Sequence, residues 1–221
     1  LYALPEKVSF NVLYYRSDIL EQFDLTLPET WDDVVEITSI LQKNSMTFGL
    51  PIGDIIGTYA TFMYQHGGEM YRDGGKTCQL TAQKNADAFE QMTDFFKNYS
   101  LEQSYNFVNR FRTAEIPLAI ESIESYNNLK VSAPEIEGQW GIALLPGVCR
   151  EDGSVDRSGY VSATSCFILS NSVQKDKAFR FLDWWTNADT QESYGREIES
   201  ILGPSSRYMA ANRQAFEQLP W

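Results

Sequence analysis

An α/β layered fold is what this sequence predicts, and three observations carry the prediction. Runs with period-two apolar alternation and runs with period-3.6 apolar spacing follow one another along the chain. Capping residues and Gly or Pro stops fall at the joints between them. The composition is globular, with 43% hydrophobic and 14% aromatic residues over 221 positions, enough to build a core.

Residues 8–15 read as a strand with Val8, Phe10, Val12 and Tyr14 on one face. Pro28–Glu29–Thr30 starts a helix. Thr30 is its N-cap and Asp33 its capping-box partner, and Trp31, Val34, Val35, Thr38 and Leu41 form its inner stripe. Residues 58–66 predict a short buried helix that stops at Gly67–Gly68. Asp73–Gly74–Gly75 predicts a hairpin turn between 69–72 and 77–80. Thr81 then caps a helix with Ala86, Phe89, Met92 and Phe96 inward. A short helix follows near 104–113, a strand at 117–120 and a helix at 122–130.

Pro134 interrupts the pattern. Residues 140–145 predict a buried strand ending at Pro146–Gly147, and the polar stretch 148–159 a surface loop. Residues 160–169 predict another strand. Ser172 caps a helix with Ala178, Phe181, Leu182 and Trp185 inward, and a last helix from about 189 ends at Gly203–Pro204.

The charge balance argues against two kinds of partner. Net charge is −12 and the basic residues are scattered, so neither nucleic acid nor an anionic membrane surface is expected as a target. No stretch is apolar for long enough to span a bilayer. The chain opens at Leu1 rather than Met, which reads as a processed or excised piece. Cys78, Cys149 and Cys166 are too few and too far apart for a disulfide framework or a zinc site, so buried thiols are expected, with one pair left open.

Catalytic and cofactor signatures are absent from the sequence. There is no G-x-S-x-G elbow, no phosphate-cradling glycine loop and no G-x-G-x-x-G. The one histidine, His66, has no neighbouring ligand residue, so a metal site is not expected and helix-terminal packing is. No cofactor is expected. Glu121 and Glu124 stand three apart at a strand-to-helix junction. They admit a glycosidase pair as the alternative to two solvated or hydrogen-bonding acids.

What remains is aromatic: five Trp, twelve Tyr and thirteen Phe. Aromatic faces stack on sugar rings while polar neighbours orient the hydroxyls. Trp31, Phe89, Phe181 and Trp185 sit on helical inner stripes and are assigned to packing. Tyr14, Tyr59, Tyr126, Trp140 and Tyr160 lie at strand or loop ends, where ligands meet α/β sheets, with ordinary burial as the competing explanation.

At this point a family likeness stands on named residues. Ala3–Leu4–Pro5, then Leu13–Tyr14–Tyr15–Arg16, then Leu27–Pro28–Glu29–Thr30–Trp31 resemble the central region of the family 1 extracellular solute-binding proteins of ABC importers. This is the maltose-binding-protein-like, carbohydrate type. Tyr64–Gln65–His66–Gly67–Gly68, Ala114–Glu115–Ile116–Pro117–Leu118–Ala119–Ile120, Trp140 through Gly147 and Lys177 through Thr186 match in the same order. The resemblance implies a periplasmic-binding-protein-like type II fold with two lobes and ligand held between them. It assigns residues 1–135 mainly to the second lobe and 136–170 to strands returning to the first. Residues 171–221 become C-terminal helices packing across both. The opening βαβ portion of the first lobe has no counterpart here.

The same resemblance implies a non-enzymatic receptor that captures a carbohydrate-like solute and delivers it to an ABC permease by hinge closure. A non-transport sensor or interaction module is the other alternative. Carried over by position, the ligand-binding candidates are Asn11, Asp54, Tyr59, Glu121, Glu124, Tyr126, Tyr160 and Ser162. The expected setting is extracytoplasmic, in a periplasm or as a cell-surface lipoprotein. The expected protein is a monomer, held at the membrane by an anchor outside this chain.

Overall fold

The structure is a computed structural model and describes residues 3–221. The chain begins with β1 (Leu4–Arg16), α1 (Ser17–Gln22), α2 (Trp31–Lys43), β2 (Phe48–Gly49) and α3 (Ile55–Gln65). It continues through a hairpin, β3 (Tyr71–Arg72) and β4 (Thr77–Cys78), to α4 (Gln83–Asn98), α5 (Phe107–Arg112), β5 (Leu118–Ser122) and α6 (Ser125–Ser132). Next come β6 (Trp140–Ala143), a small ribbon of β7 (Val148–Cys149) and β8 (Val155–Asp156), and β9 (Val161–Cys166). It ends with α7 (Lys175–Thr186), α8 (Ala188–Leu202) and α9 (Arg213–Gln218).

The residues fall into two units. One comprises 3–10, 126–132 and 161–221, and the other comprises 11–125 and 133–160. The larger unit is built on a sheet of order β2-β5-β1-β6. Its β1 strand, from Asn11 onward, runs antiparallel to β5 and β6, and β2 is parallel to β5. One face of this sheet carries the main core, where Leu13, Leu118 and Ile120 meet Trp31, Leu41, Phe62, Met63 and Phe95. On the other, Tyr14 meets Phe107 and Phe111 of α5 with ring centroids 5.1 and 6.3 Å apart. Burial on both faces explains why residues 12–14 do not alternate as a half-buried strand would.

Local signals decide several boundaries. Thr30 caps α2 as expected: its hydroxyl accepts from the Asp33 N–H at 3.2 Å, and the Asp33 carboxylate accepts from the Thr30 N–H at 2.8 Å. Arg16 ends β1 in full burial. Its guanidinium donates to Asp18 and to the carbonyls of Phe111 and Arg112, which is what makes a buried cation tolerable. The turn at Asp73–Gly75 joins β3 and β4 as expected.

Other expectations need correction. The cap of α4 is Ala82, not Thr81, and its buried stripe is Asn85, Ala88, Met92 and Phe95. Ala86 and Phe89 instead line an open apolar groove with Ile55, Ile56 and Leu80, so Phe89 is 51% exposed. The expected surface loop 148–159 holds the β7–β8 ribbon. The expected buried strand 140–145 is only partly covered, with Ile142 and Leu144 exposed. Cys78 and Cys149 are exposed and Cys166 is half-buried, and all are free thiols.

The smaller unit pairs β1, over Leu4–Phe10, antiparallel with β9. Residues near 209–211 occupy the other edge of β1, through the Val8 N–H to the Met209 carbonyl at 3.0 Å and a bridge between Lys7 and Ala210. A small core of Tyr208, Ala210, Ala215 and Leu219 packs with Tyr194 and Trp221. The expectation for α7 holds only in part: Ala178, Leu182 and Trp185 are half-buried, none is fully buried, and Phe181 is 57% exposed. Periodicity identified its apolar stripe, which the described residues cover only in part, with Trp185 meeting Tyr194 at 5.0 Å and donating to Glu6 at 3.0 Å.

Candidate functional site

In the larger unit, the sequence-flagged residues gather at two places. The first is the start of α3. Asp54 caps the helix, its Oδ1 accepting from the Gly57 N–H at 3.0 Å. Thr58 anchors the same turn to the Pro51 carbonyl at 2.8 Å. The Thr61 hydroxyl accepts from the Tyr160 N–H at 3.2 Å and so suspends the 158–160 segment on α3. The Tyr160 ring thereby closes over the helix start, and a Cβ placed on Gly57 would lie 2.9 Å from its Cδ1. A carboxylate, an aromatic ring and the positive end of a helix meet here.

The second place is the end of β5. Glu121 stands opposite Val12, and Asn11 stands opposite Ser122. The Tyr14 hydroxyl donates to the Ser122 carbonyl at 2.9 Å, and the Glu124 N–H donates to the Ser122 hydroxyl at 3.3 Å. Burial pushes the Glu121 carboxyl up to about 7, although the Ser122 amide and the Tyr105 hydroxyl both favour its ionised form. Tyr105 is its partner. Its hydroxyl is buried without a hydrogen bond of ordinary geometry, and burial, then the Glu121 charge, raise it far above the usual phenol range. Gly49 makes room for it, since a Cβ there would stand 2.7 Å from the Tyr105 oxygen.

The remaining candidates are placed differently. Tyr59 turns to α4, donating to the Asn85 carbonyl at 3.1 Å and meeting Phe89 edge-on. Tyr126 and Ser162 belong to the smaller unit, where Ser162 faces Ser9 across the β1–β9 pair. His66 closes α3, and its Nε2 lies 2.9 Å from Gln91 Oε1. Among the described residues no group of three or more His, Cys, Asp or Glu is arranged to hold a metal.

Sequence reasoning missed two residues. Tyr105 lies in a polar run with no periodicity to mark it. Gln65 was read only as part of a helix end. It is buried, accepting from the Trp31 indole at 2.6 Å and donating to the carbonyls of Pro146 and Ser158, each at 3.0 Å. It therefore fixes the segment that carries Tyr160.

At each of the two places a carboxylate stands beside an aromatic side chain, a pairing suited to hydrogen-bonding and packing on a polar solute. The sequence profile of the bacterial extracellular solute-binding protein family matches residues 2–192. The chain belongs to that family.

Relatives of stated ligand are found among the matches. A lactose-binding protein of Rhizobium radiobacter is 22% identical over 192 residues, which is 83% of this chain and 44% of the relative. The sugar-binding protein MalE of Xanthomonas citri superposes with a TM-score of 0.75 at 18% identity, over 99% of this chain and 54% of its own. The maltose-bound MalE3 of T. maritima gives 0.70 at 19% identity, over 97% and 55%. The chain thus spans about half the length of these relatives, and at such identities the structural likeness shows a shared periplasmic-binding-protein-like α/β fold.

Proposed function

We propose that the chain is part of a receptor that captures a carbohydrate or related polyol and delivers it to an ABC permease. The observation that carries this reading is the meeting of the Tyr160 ring, the Asp54 carboxylate and the start of α3. An aromatic face takes the apolar side of a sugar ring, and the carboxylate and helix amides take its hydroxyls. Glu121 with Tyr105 supplies a second polar contact, with Asn11 and Glu124 beside it in the chain's register. Tyr59, Tyr126 and Ser162 complete the proposed set. Relatives that bind lactose and maltose support the choice of solute class.

The same proposal includes the lobe assignment of 1–135, 136–170 and 171–221. It also places the protein outside the cytoplasm, as a periplasmic or lipid-anchored monomer. No described helix is long and apolar enough to cross a membrane.

The test is a thermal-shift series with lactose, maltose and mannitol, and with a polyamine and a dipeptide as controls. A solute that binds only the folded state raises the melting temperature, by about 2.7 kcal/mol of stabilisation at a hundred times its dissociation constant. A shift with one sugar, erased by Tyr160→Ala, is the expected result. A shift with the polyamine or dipeptide alone would move the solute class away from carbohydrate.

A further inference from the structure

The larger unit holds an apolar groove that its own packing leaves open. Ile55, Ile56 and Tyr59 come to it from α3, Phe89 from α4, and Met70 and Leu80 from either side of the β3–β4 hairpin. Its volume is about 600 Å³. Ile55 is 47% exposed, Ile56 64%, Leu80 50% and Phe89 51%. Single apolar residues are ordinary on a surface, but several gathered in one concavity mark a place where something binds.

The lining is held in place and suits a flat apolar group. The Tyr59 hydroxyl donates to the Asn85 carbonyl at 3.1 Å, which ties its ring to α4. That ring meets Phe89 edge-on, with centroids 5.9 Å apart and 77° between the planes. Edge-to-face ring pairs extend to a third ring on the same terms. The Gln79 N–H donates to the Met70 carbonyl at 2.9 Å, so the hairpin brings Met70 and Leu80 to the groove together. A methionine sulfur also makes favourable contacts with aromatic rings.

Size and surroundings choose a small molecule over a protein. Small-molecule sites occupy roughly 300–1,000 Å³. A stable protein partner needs about 800 Å² of this chain's surface, yet Asp87 and Glu90, the next positions on α4, are exposed acids that end the apolar surface there. The position of the groove then chooses the solute itself. Ile55 and Ile56 stand between Asp54, which caps α3, and Gly57, over which the Tyr160 ring closes. Gly57 and Thr61 put Tyr160 on one side of α3, and Ile55 and Tyr59 put the groove on the other. Both begin at the first turn of the helix, about 5 Å of its length. We infer that the groove is a subsite for an aromatic aglycone, and that the solute is an aryl glycoside whose sugar ring sits at Tyr160 and Asp54 while its aglycone enters beside Tyr59, Leu80 and Phe89. The inference rests on the carbohydrate reading proposed above and narrows it.

Matched methyl and phenyl glycosides of glucose, galactose and maltose test it. Each is titrated calorimetrically into the protein and into its Phe89→Ser and Leu80→Ser variants. Both side chains are half exposed, so the melting temperature of each variant should stay within about 3 °C of the parent. For one sugar, the phenyl glycoside should bind about tenfold or more tightly than the methyl glycoside. Each substitution should cut that ratio to about twofold or less and leave the methyl glycoside's affinity as it was. The phenyl glycoside alone should shift the methyl NMR signals of Ile55 and Ile56. A ratio near one in the unsubstituted protein, or a ratio that survives both substitutions, would overturn the inference and leave the carbohydrate reading standing. Binding of neither member of any pair would overturn both. A dimer dissolved by Phe89→Ser would give the groove to a second copy and overturn the inference as well.

Discussion

The indole N–H of Trp31 donates to the side-chain oxygen of Gln65 at 2.6 Å, in full burial. The amide of the same Gln65 holds the carbonyls of Pro146 and Ser158. One side chain thus joins α2, α3 and the segment that positions Tyr160. Gln65→Leu keeps the volume but leaves a buried indole N–H and two carbonyls without partners. A loss of about 3 kcal/mol is expected in urea unfolding, since each buried orphan costs ~1–3 kcal/mol before relaxation. A loss below about 1 kcal/mol would show that water replaces the glutamine there.

Glu121 makes stability depend on pH. Its carboxyl titrates near 7 in the folded chain, against an ordinary value of 4.5. The folded state therefore holds more protons between those values, and stability falls as pH rises through that window. The contribution is complete below pH ~4.5, and about 3 kcal/mol of it is gone above pH ~7. Glu121→Gln should flatten this part of the melting curve. Tyr105→Phe removes a hydroxyl that favours the carboxylate, so it should move the window upward. A profile unchanged by Glu121→Gln would assign the slope to another group.

Gly57→Ala separates site geometry from folding. The new methyl group meets the Tyr160 ring and the Asp54 carboxylate. Alanine improves helix propensity by up to ~1 kcal/mol, which offsets part of the crowding. The melting temperature should stay within a few degrees while the affinity for the solute found by thermal shift falls about tenfold, or ~1.4 kcal/mol. Affinity that survives would place the solute away from the start of α3.

Thr30→Ala removes half of the capping box on α2. It should cost about 1 kcal/mol, and Thr30→Ser should restore most of it. Equal losses for Ala and Ser would mean that the threonine methyl, not its hydroxyl, matters.

Much was legible in the sequence because it is local. The Thr30–Asp33 box, the Asp73–Gly75 turn and the Gly203–Pro204 stop lie within a few residues of the elements they bound, and all were readable. The ordered run of short motifs was enough to indicate the family. For the candidate site, the flagging of Asp54, Tyr160 and Glu121 came from that likeness and from their places at element ends, not from any chemical motif.

By itself, then, the sequence determined most of the longer strands and helices, where many of them stop, and the family they resemble, while the short α1, β2, α9 and the β7–β8 ribbon went unread. Only the tertiary structure decided burial and partnership. Phe89 and Phe181 carry the same periodic signal as Met92 and Trp31, yet the first two are exposed and the others buried. Gln65 reaches carbonyls 81 and 93 positions away, and Glu121 acquires its raised pKa from burial beside Tyr105. Apolar spacing marks the face a helix offers to a neighbour. Whether a neighbour arrives, and what environment it makes for a carboxylate or an amide, depends on long-range packing that no local pattern records.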